Sequence, residues 1–370
     1  MDKTKTGIYF HIPFCQSKCP YCDFYSLQSK NCSDEYVGAL CDEMMTFRRT
    51  EEFLTRDKKT EVDTLYFGGG TPSLLSSRQL AIILDTAREC FDVSDMAEIT
   101  VECNPSSPFL SEFLKAAALH GVNRISLGMQ SSSDAERRRL GRKGGSDSIK
   151  NAVEAARNAG IENISLDIML GVPESSKATL RDSLDFALSL DVPHISAYML
   201  KLEEGTFFYK NADKLNLPDD DEVADMYLFM SEYLCEKGFS HYEISNFCKK
   251  GFHSRHNMKY WEGAPYIGIG AAAHSFFNGK RFYFEPDIKA FINGEKAVFD
   301  GIGGDGEEQL LLSLRTYRGI SLSNKNPDFI KKAELFIKNG YACMNEDNFC
   351  LTAKGFLLSN TIISELLSVY

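Results

Sequence analysis

Residues 9–26 read YFHIPFCQSKCPYCDFYS and place Cys15, Cys19 and Cys22 directly after a β-branched and aromatic run. The spacing C-x3-C-x2-C differs from the paired C-x2-C repeats of structural zinc sites, and no second Cys or His pair stands at a matching distance. Thiolate-rich ligation of this kind is typical of an iron–sulfur cluster. Three cysteines around four irons leave one iron open to a small molecule. Three buried cysteines in a loop are the alternative that the spacing leaves.

The run before these cysteines opens the first of six sequence units, each a β-rich stretch, a loop and a stretch with helical periodicity. The predicted strands are 7–14, 62–69, 98–105, 123–130, 163–170 and 194–200. Strands that alternate with helices predict a parallel sheet with right-handed crossovers, and six units suit an open barrel better than a closed eightfold one. The expected fold class is therefore α/β, with a partial (β/α)6 TIM-like barrel over residues 1–210.

The rest of the chain divides into two further segments. Residues 211–300 begin with a helical stretch and continue with strands and glycine-rich turns, which we expect to close the barrel mouth. Residues 301–370 run helix, helix, hairpin, helix, which is compatible with a small C-terminal winged-helix-like α+β domain. Its second helix carries only a few lysines, and this favours a scaffold or partner-docking role over DNA binding.

Composition limits the classes of function. The 370 residues are 43% hydrophobic, enough to bury a large core, and the net charge of −11 disfavours nucleic acid as the main partner. No apolar run approaches membrane-spanning length and the first residues lack the apolar region of a signal peptide. We therefore expect no transmembrane segment and a cytoplasmic location.

Eight of the eleven cysteines lie outside the motif, and their scatter in a reducing compartment argues against a disulfide framework. We interpret them as small core side chains. They are Cys32, Cys41, Cys90, Cys103, Cys235, Cys248, Cys343 and Cys350. Cys343 and Cys350 are expected to face each other across the C-terminal hairpin and to stay reduced.

Polar and glycine residues stand where the predicted strands end. The second strand ends in GGGTP, the third in Glu102 and the fourth in Gln130, while the fifth carries Asp167. Functional residues of parallel β/α folds collect at the carboxyl ends of the strands, because the loops converge on that face. Each residue alone has a structural reading, as a turn, a helix cap or a core ion pair. Their joint placement predicts a site.

The cysteine motif, with Tyr21 just before its last cysteine, resembles that of the radical S-adenosylmethionine (SAM) superfamily. The resemblance implies a radical SAM barrel with a 4Fe-4S cluster on Cys15, Cys19 and Cys22, whose open iron chelates SAM, and an electron donor such as flavodoxin or ferredoxin. It also implies a set of SAM-binding or cluster-adjacent positions, which are Tyr9, Tyr21, Phe24, Gly69, Gly70, Thr71, Glu102, Gln130, Arg142 and Asp167. Glycines admit close backbone approach, carboxylates suit a sulfonium and ribose hydroxyls, and arginine suits a carboxylate.

The resemblance extends along nearly the whole chain, through FGGGTP, ECNP, LDIMLGVP and GIGAAAHS. These segments are similar to the branch that contains oxygen-independent coproporphyrinogen III dehydrogenases and the HemW-type heme chaperones. The dehydrogenases have a further cysteine two positions after the third ligand, where this chain has Phe24. They also have a longer segment ahead of the first strand, whereas six residues precede Gly7 here. Both departures favour the chaperones.

Residues 256–261, HNMKYW, match the H-N-x-x-Y-W signature of those chaperones. The resemblance implies that His256, Tyr260 and Trp261 hold heme, with the histidine on iron and the rings on the porphyrin face. The residue types alone favour a hydrogen-bonded turn with core aromatics. His253 and His274 are spare heme candidates, and His11 is expected to be structural.

The expected function is that of a heme chaperone that binds heme and passes it to an acceptor protein. The alternative is coproporphyrinogen III dehydrogenase (oxidase) in porphyrin biosynthesis, which the departures at Phe24 and Gly7 disfavour. Whether the chain is an enzyme stays open at this stage.

Overall fold

A twelve-stranded sheet is the framework of the computed structural model, which describes residues 5–55 and 58–370. The strands are β1 Thr6–Ile12, β2 Phe14–Cys15, β3 Leu27–Gln28, β4 Glu61–Gly69, β5 Asp92–Cys103, β6 Arg124–Gln130, β7 Asn163–Leu170, β8 His194–Met199, β9 Ser240–Glu243, β10 Asn246–Cys248, β11 Tyr266–Ile269, β12 His274–Phe277, β13 Lys280–Tyr283, β14 Val298–Ile302, β15 Ile320–Ser321, β16 Ala342–Asn345 and β17 Asn348–Leu351.

The α-helices fill the connections between strands and form most of the C-terminal segment. They are α1 Asp34–Thr55, α2 Ser77–Cys90, α3 Leu110–Leu119, α4 Asp134–Arg139, α5 Ser146–Asn158, α6 Lys177–Ser189, α7 Phe207–Lys210, α8 Asp220–Glu236, α9 Arg255–Trp261, α10 Ile288–Ile292, α11 Gly306–Ser313, α12 Pro327–Lys338, α13 Ala353–Leu357 and α14 Ser359–Leu367. Within the described residues, no helix is long and apolar enough to cross a membrane.

The six predicted strands are present as β1 and β4–β8, which lie in that order and pair in parallel. The expected α/β fold with a partial (β/α)6 barrel is confirmed. The strand β5 begins at Asp92, six residues before the predicted start, and β11 adds a further parallel strand beside β1.

The strands after residue 211 extend the two edges of the sheet. β11 pairs with β1 on one side and continues into β12–β14, while β10 pairs antiparallel with β8 and carries β9. That this segment closes the barrel mouth stays a prediction. Its strands take the hydrogen-bonding positions that an open barrel leaves at its edges, where unpaired N–H and C=O groups are costly.

Apolar and polar side chains alternate along the strands, so that the apolar ones pack in the hydrophobic core outside the barrel and the polar ones face its interior. Ile8, Phe10 and Ile12 of β1 are 0% exposed in the hydrophobic core, while Tyr9 and His11 between them point into the barrel and carry hydrogen bonds. Successive strand side chains point to opposite faces, so this parity decides which residues can reach a ligand.

The helices carry the apolar faces that cover this layer. In α2, Leu80, Ile83, Leu84 and Ala87 are buried at helical spacing, and Ser76 caps the helix in a reciprocal box with Gln79. Such a face stabilises the barrel by removing roughly 25 cal/mol per Å² of apolar surface from water.

The C-terminal segment combines α11–α14 with a three-stranded sheet in the order β15-β17-β16. The predicted hairpin is β16–β17, and its register places Cys343 opposite Cys350. The edge strand β15 was not predicted, because it has only two residues.

The cysteines outside the motif are all free. Six of the eight are buried, as the core interpretation expects. That interpretation is wrong for Cys235 and Cys343, which are exposed on a helix and on a hairpin strand.

Candidate functional site

A cavity of about 430 Å³ opens at the carboxyl ends of the parallel strands. This is the size of a small-ligand site and the face on which β/α barrels carry function. Its lining includes Cys15, Cys19 and Cys22 together with Tyr21, Phe24, Gly69, Gly70, Thr71, Glu102, Gln130, Arg142 and Asp167. The structure therefore brings together the predicted cluster ligands and every predicted SAM-site residue except Tyr9.

The three motif cysteines are free and partly exposed, with Cys15 at the end of β2 and Cys19 and Cys22 in the loop between β2 and β3. The Cys22 amide donates to the Cys19 carbonyl oxygen at 3.2 Å, which turns the loop back, and the Thr71 hydroxyl lies 3.5 Å from the Cys15 sulfur. Among the described residues, no group of His, Cys, Asp or Glu is placed to hold a single metal ion. A four-iron cluster places each thiolate on a different iron, so three spaced, solvent-reachable thiols fit that group.

Contacts with later elements hold the cysteine loop in place. The Tyr21 hydroxyl accepts hydrogen bonds from Arg142 Nε and Nη2 at 3.2 and 2.8 Å. The Phe208 amide of α7 donates to the Pro20 carbonyl oxygen at 3.0 Å. Tyr21 also packs on a small cluster that contains Leu140 and Phe208. These contacts link the cluster loop to the Arg142 side of the cavity.

The glycines of GGGTP let β4 end against the cysteine loop. A Cβ on Gly69 would lie 2.5 Å from the His11 ring, and this residue has a φ of +103°. A Cβ on Gly70 would lie 2.6 Å from the Phe14 carbonyl oxygen, the atom to which the Thr71 amide donates at 2.8 Å. Only glycine permits this approach, so the segment is built for close backbone contact.

Glu102 faces the cavity from β5. Its Oε1 accepts from the Tyr66 hydroxyl at 2.8 Å, and its carboxylate also accepts from the Gly69 amide. Burial raises the pKa of Glu102 to about 7, while these two hydrogen bonds oppose the rise. The carboxylate is therefore poised to favour a cationic ligand that restores its charge.

Asp167 faces the same cavity from β7. Its Oδ1 accepts from the Ser126 hydroxyl at 2.8 Å, and burial raises the pKa of Asp167 to about 6. Gln130 ends β6 with a φ of +67°, at a register shift between Leu127 and Gln130 that turns the strand end toward the cavity. Two carboxylates and an amide thus line one wall.

Tyr66, Ser126 and Arg124 belong to this interior but were missed from the sequence. Arg124 is 1% exposed and interacts with the charges of Glu98 and Asp167. Strand parity could have identified two of them. Ser126 and Arg124 precede the cavity-lining Gly128 by two and four positions, so all three lie on the same face of β6.

Tyr9 lies beneath the cavity and does not line it. Its hydroxyl is 3.1 Å from His11 Nδ1, and its ring stacks on Tyr66 with centroids 6.1 Å apart. His11 Nε2 also bonds the Tyr25 carbonyl oxygen at 3.0 Å, which confirms the structural role predicted for His11.

The HNMKYW segment forms α9 and seals the floor of the barrel, at the opposite end from the cavity. His256 is 0% exposed, with Nδ1 2.8 Å from Thr64 Oγ1 and Nε2 2.9 Å from the Tyr260 hydroxyl. Burial lowers the pKa of His256 to about 3, so the ring is neutral at pH 7. In this arrangement both ring nitrogens are occupied.

The other residues predicted for heme also lie away from the cavity. Trp261 is half-buried against a small cluster with Met258 and donates to the Glu243 carboxylate. His253 lies between the rings of Tyr242 and Tyr317, and the exposed His274 stacks on Tyr283. The structure therefore does not bring the predicted heme residues together with the cluster ligands.

Comparisons with known proteins identify the class of the fold. The model of the radical SAM superfamily matches residues 9–187. A solved structure of coproporphyrinogen III oxidase from Escherichia coli, a radical SAM enzyme, superposes with a TM-score of 0.81 at 21% identity, covering 98% of this chain and 90% of that chain. The fold is thus that of a radical SAM protein.

Curated relatives narrow this class. The heme chaperone HemW of Bacillus subtilis is 34% identical over 97% of this chain and 98% of its own length. The heme chaperone HemW of Lactococcus lactis is 32% identical, with 99% of this chain and 98% of the relative covered. The chain belongs to the HemW family of heme chaperones.

Proposed function

We propose that this protein binds heme and transfers it to an acceptor protein in the cytoplasm, on a scaffold that also carries a 4Fe-4S cluster and SAM. The observation that carries the proposal is the similarity to curated heme chaperones over nearly the entire chain. The cysteine-lined cavity supports the cofactor part of the proposal independently.

The residues at the mouth have the chemistry that these cofactors need. Cys15, Cys19 and Cys22 supply three thiolates, and Glu102 and Asp167 supply negative charge beside a sulfonium and acceptors for an amine and ribose hydroxyls. When bound, the cluster supplies one-electron chemistry, and its electron donor is of the flavodoxin or ferredoxin type. The protein's part is to orient the cofactor and to hold charge of the opposite sign beside it.

Heme binding through His256 requires a change of conformation. The hydrogen bond of the nitrogen that takes the iron must break and the ring must become accessible, because the ring is 0% exposed and each nitrogen has a partner. Heme ligation by His256, with Tyr260 and Trp261 on the porphyrin, is thus a proposal for an opened state of the barrel floor.

The mouth supports a second position for heme. Phe24, Tyr198 and Met199 line the cavity and are 63%, 42% and 40% exposed. A flat apolar porphyrin gains free energy by covering such side chains, and aromatic rings add stacking. Heme at the mouth needs no opening of the floor.

A spectroscopic titration decides between the two positions. Heme is added to the wild type, to His256→Phe and to Phe24→Ser, and the Soret band and the rate of heme loss to apomyoglobin are followed. A changed Soret band in His256→Phe alone assigns the iron ligand to the floor. Faster heme loss in Phe24→Ser alone assigns heme to the mouth.

The alternative function, oxidation of coproporphyrinogen III, shares this fold, as the solved structure of that enzyme indicates. It is tested by anaerobic incubation of the reconstituted protein with coproporphyrinogen III, SAM and a reductant. We expect no protoporphyrinogen to form, together with transfer of bound heme to an apo-acceptor. Rapid formation of protoporphyrinogen would refute a function limited to heme delivery.

A further inference from the structure

The floor of the barrel is in direct contact with the wall of the cofactor cavity. The His256 ring stacks on the Tyr66 ring with centroids 5.1 Å apart and an angle of 28° between their planes. Tyr66 in turn donates from its hydroxyl to Glu102 Oε1, which faces the cavity. Two contacts therefore connect α9 with a carboxylate assigned to SAM.

The position of Tyr66 depends on rings that pack on it. Tyr9 stacks on it at 6.1 Å, and His256 also stacks on Tyr9 at 6.4 Å, so the three rings form one group. Removing the imidazole leaves a void next to Tyr66, and neighbouring side chains relax partially into such a void, so we expect the Tyr66 ring to tilt or shift. A hydroxyl at the edge of that ring then leaves Glu102.

The His256 ring is itself held rigidly. Besides the contacts of its two nitrogens, its backbone amide donates to Glu98 Oε1 at 3.0 Å. Lys259, one turn further along α9, bonds Asp63 and the Lys5 carbonyl oxygen, each at 2.7 Å. A Cβ on Gly7 would lie 3.1 Å from His256 Cε1, so the first strand leaves only enough room for this ring. The ring is thus a fixed support.

From these contacts we propose that His256 is a positioning residue of the SAM site, which holds Tyr66 so that its hydroxyl orients the Glu102 carboxylate. The inference rests on the proposed binding of SAM at the mouth. It assigns a function to HNMKYW that is separate from heme ligation, and it predicts that a flat ring at position 256 matters more than its nitrogens.

The pH dependence of SAM binding reports on this contact. The hydrogen bond from Tyr66 lowers the pKa of Glu102, so its loss raises that pKa further above its ordinary value. The other groups that face Glu102 are Tyr9 on β1, Arg124 on β6, Asp167 on β7, Tyr198 on β8 and Tyr260 on α9. Because Tyr9 and Tyr260 also contact His256, a shifted midpoint in His256→Ala is assigned to the Tyr66 bond only when Tyr66→Phe, which leaves the imidazole in place, shifts the midpoint in the same direction.

The test is equilibrium dialysis of SAM against anaerobically reconstituted wild type, His256→Ala and His256→Phe between pH 6 and pH 9. For His256→Ala we expect affinity at pH 7 to fall about tenfold, the loss of a hydrogen bond to a charged group, and to recover partly at high pH. His256→Phe, which restores a flat ring, is expected to retain most of the wild-type affinity. The matched control is His241→Ala, which removes a half-buried histidine that bonds Tyr227 and Ser231 and lies outside the cavity lining. Its SAM affinity should equal that of the wild type.

Three outcomes overturn the inference while leaving SAM binding intact. They are an unchanged affinity and pH midpoint in His256→Ala, an equal loss in His256→Phe, and an equal loss in His241→Ala. A wild type that fails to bind SAM instead refutes the proposed cofactor itself, and the inference with it. If His256→Ala does not fold, His256→Phe and Tyr66→Phe still decide, because Tyr66→Phe keeps the ring and must shift the pH midpoint upward.

Discussion

The mouth and the floor of the barrel are formed by the two ends of the same strands, but their side chains differ in solvent exposure and in hydrogen bonding. At the mouth, Cys19 and its partners are partly exposed, and Glu102 and Asp167 face a cavity of about 430 Å³. At the floor, His256 is 0% exposed and each ring nitrogen already has a partner. Both regions carry residue types that bind cofactors. A cofactor-binding site differs from a structural support in two respects, namely how exposed its side chains are and whether their ligating atoms already have hydrogen-bond partners.

The largest effect is expected when a predicted cluster ligand at the mouth is removed. Cys19→Ala removes one of three thiolates, and we expect the reconstituted protein to lose its brown absorbance and nearly all its bound iron. Cys41→Ala is the matched control, since Cys41 is free and buried under Thr86. Full iron in the Cys19 variant would mean that other cysteines hold the cluster.

The carboxylates of the mouth come next. Glu102→Gln and Asp167→Asn are each expected to weaken SAM binding about 10- to 100-fold while leaving the iron content unchanged. With pKa values of about 7 for Glu102 and about 6 for Asp167, protonation removes their negative charge as pH falls. Wild-type affinity for this cation should therefore decrease from pH 8 to pH 6.

Equilibrium dialysis across that pH range measures the effect. In Glu102→Gln the change of SAM affinity near pH 7 should disappear. A pH profile identical to that of the wild type would remove Glu102 from the site.

The floor is tested through folding stability. The pKa of His256 is about 3 in the folded protein, against about 6.5 in an unfolded chain, so between these values only the unfolded state takes up the proton. Stability is therefore lost as pH falls through this window, by roughly 2 kcal/mol from this residue between pH 7 and pH 5.

Urea unfolding at both pH values measures this loss. His256→Phe should lack that increment, whereas replacing the exposed His274 by Phe should leave the wild-type pH dependence intact. An equal loss of unfolding free energy between pH 7 and pH 5 in wild type and His256→Phe would mean that the imidazole is exposed to solvent in the folded protein.

The smallest expected effect concerns Trp261 at the edge of the floor. Trp261→Phe removes a donor to Glu243, whose carboxylate keeps the Asn246 side chain and the Ser245 amide. The expected cost is about 1 kcal/mol of unfolding free energy, with SAM affinity unchanged. A weaker SAM affinity in Trp261→Phe would mean that Trp261, like His256, helps to position the SAM site.

The mouth was accessible to sequence reasoning because it follows from local patterns. Strand periods placed Glu102, Gln130 and Asp167 at strand ends, and parallel topology made those ends converge. Cys15, Cys19 and Cys22 lie close together in the sequence, so their grouping needed no tertiary information.

The floor was not accessible, because its contacts join distant parts of the chain. Thr64 and His256 are 192 residues apart, and α9 has only seven residues, too few for a helical period to stand out. Tyr66 was within reach, since it shares the parity of Gly68 on β4 and so points into the barrel.

The link between floor and mouth is measured most directly by a double-mutant cycle on SAM affinity with Tyr66→Phe and His256→Ala. If the imidazole acts by holding the Tyr66 hydroxyl on Glu102, removing the hydroxyl first leaves the second change little to disrupt. We predict that the double variant binds SAM about as weakly as the more weakly binding of the two single variants. Losses of binding free energy that simply add would contradict it.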